Sequence, residues 1–343
     1  MIRFTVSRSR IFTRMRIFIC PPSLSVYTEI VWLSHPMSLI STSGFTIDEI
    51  RQFLKAYTYV RTHVRDLSES LHGKILATLF YEPSTRTRLS FESAMLRLGG
   101  QVVSESNIHF SSRAKWEDLS DTARVVSYFA DIIALRSTQQ WDALLLDTYA
   151  SIPVINAGDG NGEHPTQALL DLATIYENFP DLFERANLKV MIAGDLKYGR
   201  TTHSLSSLLS LLPNVDLIFA SPQELQIPDK YISPTTILLD NLDGSTLKEI
   251  DVLYMTRLQK ERLPEHTNFD SAFSDFTLTT ERATLLKDNT IIMHPLPRLA
   301  EIPHEIDSLP QARYFDQVQT GVFMRMTILL RELAPDIFAR ISQ

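Results

Sequence analysis

The sequence predicts an α/β protein of two domains, each a parallel sheet flanked by helices, with the two domains joined by interdomain helices. Three observations carry this reading. Short apolar runs that read as buried strands alternate with segments of helical period along most of the chain. Strands separated by helices need crossover connections, so they pair in parallel and are covered on both faces. At 343 residues the chain is long enough for two domains, each with its own core.

Composition narrows the class. Hydrophobic content of 44% and charged content of 21% are those of a soluble globular protein. No apolar run reaches the length of a membrane span. A net charge of −7 argues against general nucleic-acid binding, yet leaves room for small anions in a cleft that gathers arginines. The one cysteine, Cys20, cannot form an internal disulfide and lies outside every motif, so neither a thiol mechanism nor a structural zinc is expected.

Residues 1–36 differ from the rest. Five arginines, Arg3, Arg8, Arg10, Arg14 and Arg16, precede the first acidic residue, Glu29, and Pro21-Pro22 interrupts the stretch. It reads either as an organelle transit peptide or as sequence upstream of a true start at Met37. The second reading is preferred, because no clean amphipathic helix is visible, and cytoplasmic residence is then expected.

The regular pattern begins at Ser41. Thr46 followed by Glu49 is a capping box that opens a helix through Phe53 and Leu54. Ile75 to Phe80 is a buried strand. Pro83 and Ser84 end it, and Phe91, Ala94, Met95 and Leu98 mark a helix stopped by Gly99-Gly100. Gln101 to Ser104 is a second strand, followed by a polar loop from Ser106 to Trp116 and a helix over Leu119 to Phe129. Asp131 to Arg136 and Pro153 to Asn156 are the next strands. A glycine-dense stretch, 157–162, precedes a helix from Pro165 to Asn178 that crosses into the second domain. Strands are then expected at 189–195, 216–220, 236–239, 252–255 and 290–293. Helices are expected at 201–212 and 319–340.

The chemistry concentrates at Ser84-Thr85-Arg86-Thr87-Arg88. A strand gives way there to a helix N-terminus, where free N–H groups and the positive end of the helix dipole collect. Three hydroxyls and two guanidinium groups add to them, which suits a phosphate or similar anion. The plain alternative is a Ser/Thr cap followed by surface arginines.

Ser84-Thr85-Arg86-Thr87-Arg88, His164-Pro165-Thr166-Gln167 and His294-Pro295-Leu296-Pro297-Arg298 occur in the order and spacing of the aspartate/ornithine transcarbamylase family, and the chain resembles it from about Ile40 onward. The match is closest to catalytic chains that use aspartate. The resemblance implies transfer of the carbamoyl group of carbamoyl phosphate to the amino group of L-aspartate, in de novo pyrimidine biosynthesis, with no cofactor or metal. It also implies a carbamoyl phosphate-binding domain over 37–164 plus 321–343 and an aspartate-binding domain over 165–320.

The resemblance implies that Ser84, Thr85, Arg86 and Thr87 hold the phosphate, with Arg86 at the bridge to the carbamoyl group. Arg136, just after a strand, is implied on the same ligand. His164 falls on the carbamoyl oxygen and Gln167 on the carbamoyl nitrogen. The backbone of Leu296 and Pro297 completes the pocket, on a loop that Pro295 and Pro297 make extended and rigid. Arg200, Arg257 and Gln259 are implied for aspartate, since two guanidinium groups suit a dicarboxylate. Arg88 is expected to pair structurally, with Glu82 as partner. Ser111 and Lys115 match a loop that reaches into a neighbouring subunit's site, which implies a homotrimer with shared sites, in some assemblies joined by regulatory chains. One position departs from the family: Trp116 stands where glycine is usual.

Two rival readings compete. Ornithine-specific relatives carry a cysteine in the His-Pro-Leu-Pro position and an Asp-containing Ser-Met-Gly loop; this chain has Pro295 and an arginine-bearing loop. An inactive paralogue acting as an interaction subunit should have lost some of Arg86, Lys115, His164, Arg200 or Arg257, and all are present.

Overall fold

The computed structural model describes residues 38–105, 117–258 and 274–343. Two all-parallel sheets form its frame. The first contains β1 (Ile75–Phe80), β2 (Gln101–Glu105), β3 (Ile132–Ser137) and β4 (Val154–Asp159), in the order β2-β1-β3-β4. The second contains β5 (Leu188–Ala193), β6 (Val215–Ala220), β7 (Ile237–Leu239), β8 (Val252–Met255) and β9 (Ile291–Met293), in the order β7-β6-β5-β8-β9. In each sheet the chain runs to one side of its first strand and then returns to the other. The reversals fall between β1 and β3 and between β5 and β8. Such switch points open a crevice at the carboxyl ends of the strands, where ligands bind in open α/β sheets.

The helices are α1 (Ile47–Thr62), α2 (Thr85–Arg97), α3 (Leu119–Val126), α4 (Asp142–Tyr149), α5 (Pro165–Asn178), α6 (Arg200–Leu209), α7 (Gly244–Leu247), α8 (Thr280–Ala283), α9 (Asp316–Leu333) and α10 (Pro335–Ile341). Helix α1 opens with the expected capping box between Thr46 and Glu49. No helix among the described residues is long and apolar enough to cross a membrane.

The largest apolar cluster runs through both sheets. It includes Phe91 and Met95 of α2, Leu172 and Ile175 of α5, Leu205 and Leu208 of α6, and Met326 and Leu330 of α9. Helix α9 packs against α1, α2 and α5. Each sheet also has a smaller cluster of its own. A separate core for each half, as chain length suggested, is therefore only part of the arrangement. Helices α5 and α9 are buried on several sides and serve both halves.

The structure differs from the sequence reading at several elements, and three of them shape the frame. Helix α4 was not anticipated: Leu144-Leu145-Leu146 gives no one-sided stripe, and only Ala143, Leu146 and Asp147 are buried. The helix expected over 319–340 is two helices. Ala334 leaves the helical region at φ −139° and ψ 62°, and Pro335, which has no N–H to continue the ladder, starts α10 at its first position. Strand β4 continues past Asn156 to Asp159, because two residues of β3 face three of β4 between Leu135 and Ser137. Gly158 takes up the extra length at φ +116°.

Candidate functional site

Both switch points open on one cavity of about 690 Å³. Segments following six strands line it: Glu82 to Thr87 after β1, Thr138 after β3, Gly160 to His164 after β4, Asp195 to Thr201 after β5, Thr256 and Arg257 after β8, and His294 to Pro297 after β9. Helix α9 contributes Gln317, Val318 and Arg325.

Three helices point their N-termini at this space. The caps of α2, α5 and α6 are Ser84, His164 and Gly199, none makes a side-chain capping bond, and no acidic residue occupies any of the three first turns. By contrast, α1 and α3 are capped by Thr46 and Asp118 and carry acids in their first turns. Uncapped N–H groups gathered on one cavity favour an anion. The side chains agree with this. Arg86, Arg136, Arg200, Arg257 and Arg325 line the cavity, against the carboxylates Glu82 and Asp195. A chain of net charge −7 has thus concentrated positive charge in one place.

Glu82 connects the two halves of the site. Its Oε2 accepts a hydrogen bond from Arg200 Nη2 at 2.7 Å and forms an ion pair with Arg136 Nε at 3.1 Å. Arg200 Nη1 donates to the Gly160 carbonyl at 3.0 Å. Burial, chiefly, and the nearby Arg200 lower the Arg136 guanidinium to about 10. Glycine suits position 158 because φ is +116°, and a Cβ there would press at 3.3 Å on Arg136 Nη1, Arg200 Cζ and His164 Cδ2 alike.

His164 is buried, and its backbone N–H donates to Ser204 Oγ at 3.0 Å. Burial, then Arg136, Arg200 and Arg325, hold its imidazole well below the usual histidine range, so it is neutral. Thr166 Oγ1 lies 3.4 Å from its Nδ1; with that hydroxyl donating, the ring proton sits on Nε2. A neutral imidazole with one N–H can donate to a carbonyl without surrendering a positive charge. Gln167 Nε2 donates to Asp171 Oδ1 at 2.8 Å.

The His294 to Pro297 loop is not extended as expected. The Leu296 N–H donates to His294 Nδ1 at 2.8 Å, which folds the backbone over the imidazole; Leu296 sits at φ +56° and its bond to Pro297 is cis. His294 Nε2 meets Glu301 Oε1 at 3.1 Å, so both ring nitrogens are committed. Arg298 turns away and binds Asp307 and Tyr314.

Of the residues singled out from sequence, the structure brings Ser84, Thr85, Arg86, Thr87, Arg136, His164, Gln167, Arg200, Arg257, Leu296 and Pro297 to the one cavity. Ser111, Lys115, Trp116 and Gln259 lie outside the described residues. Arg88 does not pair with Glu82. It sits one turn into α2, 4.0 Å from Glu92 and 3.4 Å from Ser104 Oγ, while Glu82 is taken by Arg136 and Arg200. Sequence reasoning missed Arg325, which is 3% exposed on α9 and donates to Ser90 Oγ at 2.9 Å. An arginine flanked by apolar residues in mid-helix, Met324-Arg325-Met326, was the available signal. Among the described residues no three His, Cys, Asp or Glu side chains gather to hold a metal ion.

Comparison with known proteins follows this geometry. Residues 37–177 match the family model described as aspartate/ornithine carbamoyltransferase, carbamoyl-P binding domain, and residues 186–331 match its Asp/Orn binding domain. The chain is 42% identical over 301 residues to the aspartate carbamoyltransferase catalytic subunit of Finegoldia magna, covering 86% of this chain and 97% of the relative. It is 48% identical over 268 residues to that of Methanocaldococcus jannaschii, covering 76% and 85%. The crystal structure of Trypanosoma cruzi aspartate transcarbamoylase with carbamoyl phosphate and aspartate superposes with a TM-score of 0.80 at 34% identity, over 88% of this chain and 96% of that one. The M. jannaschii catalytic subunit superposes with a TM-score of 0.80 at 43% identity, over 88% and 98%.

Proposed function

The chain belongs to the aspartate/ornithine carbamoyltransferase family, and we infer that it transfers the carbamoyl group of carbamoyl phosphate to L-aspartate, giving N-carbamoyl-L-aspartate and phosphate, a step of pyrimidine biosynthesis. The observation that carries this is the convergence of three uncapped helix N-termini and five arginines on one cavity. Both substrates are anions, and together they bring one phosphate and two carboxylates.

In this reading the uncharged amine nitrogen bonds to the carbamoyl carbon, the carbon–oxygen bond to phosphate breaks, and the proton that the amine gives up leaves on the phosphate as hydrogen phosphate. The N-terminus of α2, with Ser84, Thr85 and Thr87, takes the phosphate. Arg86 and Arg136 stabilise the charge that grows on the leaving oxygen. Neutral His164 donates to the carbamoyl oxygen, where negative charge develops in the tetrahedral intermediate. Gln167 and the Leu296 and Pro297 backbone receive the carbamoyl nitrogen. Arg200 and Arg257 take the aspartate carboxylates, with Gln259 assisting. The same arginines disfavour ornithine, whose side chain is a cation. Asp195, the carboxylate on that side, already accepts the Tyr198 N–H at 3.0 Å.

The reading extends to a homotrimer in which a neighbouring subunit supplies Ser111 and Lys115. Supporting it, no lysine is found among the described residues that line the cavity, and Leu96, Val103, Tyr128 and Phe129 of the first half are exposed apolar side chains. The test is a carbamoylation assay with carbamoyl phosphate and either aspartate or ornithine. Product from aspartate alone is expected; product from ornithine overturns the substrate assignment.

A further inference from the structure

Beneath the cavity, Asp171 of α5 is fully buried and accepts three hydrogen bonds from three elements. Gln167 Nε2 and Gln317 Nε2 each reach Oδ1 at 2.8 Å, and the Tyr254 hydroxyl reaches Oδ2 at 2.8 Å. The donors come from α5, α9 and β8. We propose that Asp171 is a positioning residue that fixes which end of the Gln167 carboxamide faces the carbamoyl group and ties that carboxamide to the His294–Pro297 loop. The proposal rests on reading the cavity as a carbamoyl phosphate site.

Polarity sets the orientation of Gln167. A carboxamide can present either oxygen or nitrogen to a ligand, and the two orientations have nearly the same shape. A carboxylate beside it removes the ambiguity, because it accepts and does not donate. Asp171 therefore draws the Gln167 nitrogen downward and leaves Oε1 for the cavity. An oxygen there accepts from the –NH₂ of a carbamoyl group; a nitrogen there would oppose it. Gln317 is polarised by the same logic from its other end: its Oε1 accepts the His294 backbone N–H at 2.8 Å, so its nitrogen must face Asp171. The carboxylate thus connects the helix that carries Gln167 to the start of the loop that carries Leu296 and Pro297. Burial raises the carboxyl and outweighs the three donors and Arg325, which favour the charged form, so that the balance stands at about 7; the three donated hydrogen bonds are what hold it as an acceptor.

The test compares two ligands by calorimetry on the full chain. Inorganic phosphate has no carbamoyl group, so it does not sense the Gln167 orientation; carbamoyl phosphate does. Asp171→Leu is expected to weaken carbamoyl phosphate binding by about 10-fold or more while phosphate binding stays within about 2-fold. Asp171→Asn, which keeps one acceptor oxygen, should recover much of the loss. In a Gln167→Ala background, Asp171→Leu should cost clearly less than it does in the wild type, the remainder being the loop held through Gln317. Equal loss of both ligands, or loss of neither, overturns the proposal. Failure of the wild type to bind either ligand would instead overturn the reading of the cavity. Should Asp171→Leu not fold, a neutron structure of the wild-type protein decides: deuterons on the Gln167 atom that faces Asp171 are required, and a bare oxygen there overturns the proposal.

Discussion

Glu82 Oε2 accepts from Arg200 Nη2 at 2.7 Å across 118 positions of sequence, and the bond joins a segment after β1 to the first residue of α6. The same oxygen sits 3.1 Å from Arg136 Nε. One carboxylate therefore holds together two guanidinium groups that would otherwise repel, one assigned to the phosphate and the other to aspartate. Glu82→Gln should leave both arginines unneutralised. Phosphate affinity is then expected to rise a few-fold at low salt, while kcat falls about 10-fold because neither guanidinium is aimed. Calorimetry and steady-state kinetics on the same preparation check this; unchanged kcat would show that the pairing does not orient the site.

A side chain at Gly158 should be costly. At φ +116° any L residue is strained, and the Cβ would crowd Arg136, Arg200 and His164 together. Gly158→Ala is expected to destabilise the fold by about 1–3 kcal/mol, or roughly 2–4 °C in Tm for each kcal/mol, and to lower turnover more than stability predicts. Thermal unfolding with wild-type activity retained would refute the crowding argument.

Arg86 is exposed at the start of α2, so its removal should spare the fold. Arg86→Ala is expected to lower kcat by at least about 100-fold with an unchanged circular dichroism spectrum. Mixing that variant with Lys115→Ala chains tests the shared site. In mixed oligomers some sites regain both groups, and partial activity should return. No recovery in oligomers shown by native mass spectrometry to be mixed would count against a loop supplied by the neighbour.

His164 gives a pH prediction. Its folded-state value is depressed below the ordinary 6.5 by burial and by Arg136, Arg200 and Arg325. The unfolded chain therefore binds a proton that the folded site refuses. Stability is fully present above pH 6.5 and is lost as pH falls below it, at up to about 1.4 kcal/mol per pH unit. His203 and His294 are depressed by burial as well, so the comparison must be with His164→Gln. Urea unfolding between pH 5 and 7.5 should give a shallower dependence for the variant. Parallel curves would mean that His164 is charged in the folded protein.

The α/β class, the parallel strands and most of the residues that meet at the cavity were legible in the sequence. They were legible because those signals are local. An apolar run, a cap and a proline each act within a few residues, and the motifs place arginines at or beyond the carboxyl ends of strands. Helix α4 and the break at Pro335 escaped for local reasons too: one had no stripe, and the other was outweighed by the apolar pattern on both sides of it. Which side chain partners which was settled by packing. Arg88 turned to Glu92, leaving Glu82 to Arg136 and Arg200. Arg325 reached Ser90 across 235 positions, and Gln317 reached Asp171 across 146. Partners so far apart leave no mark on periodicity or propensity. They meet because two sheets direct their switch points at one cavity, and because a buried charge or amide must find whatever partner the packed helices place beside it.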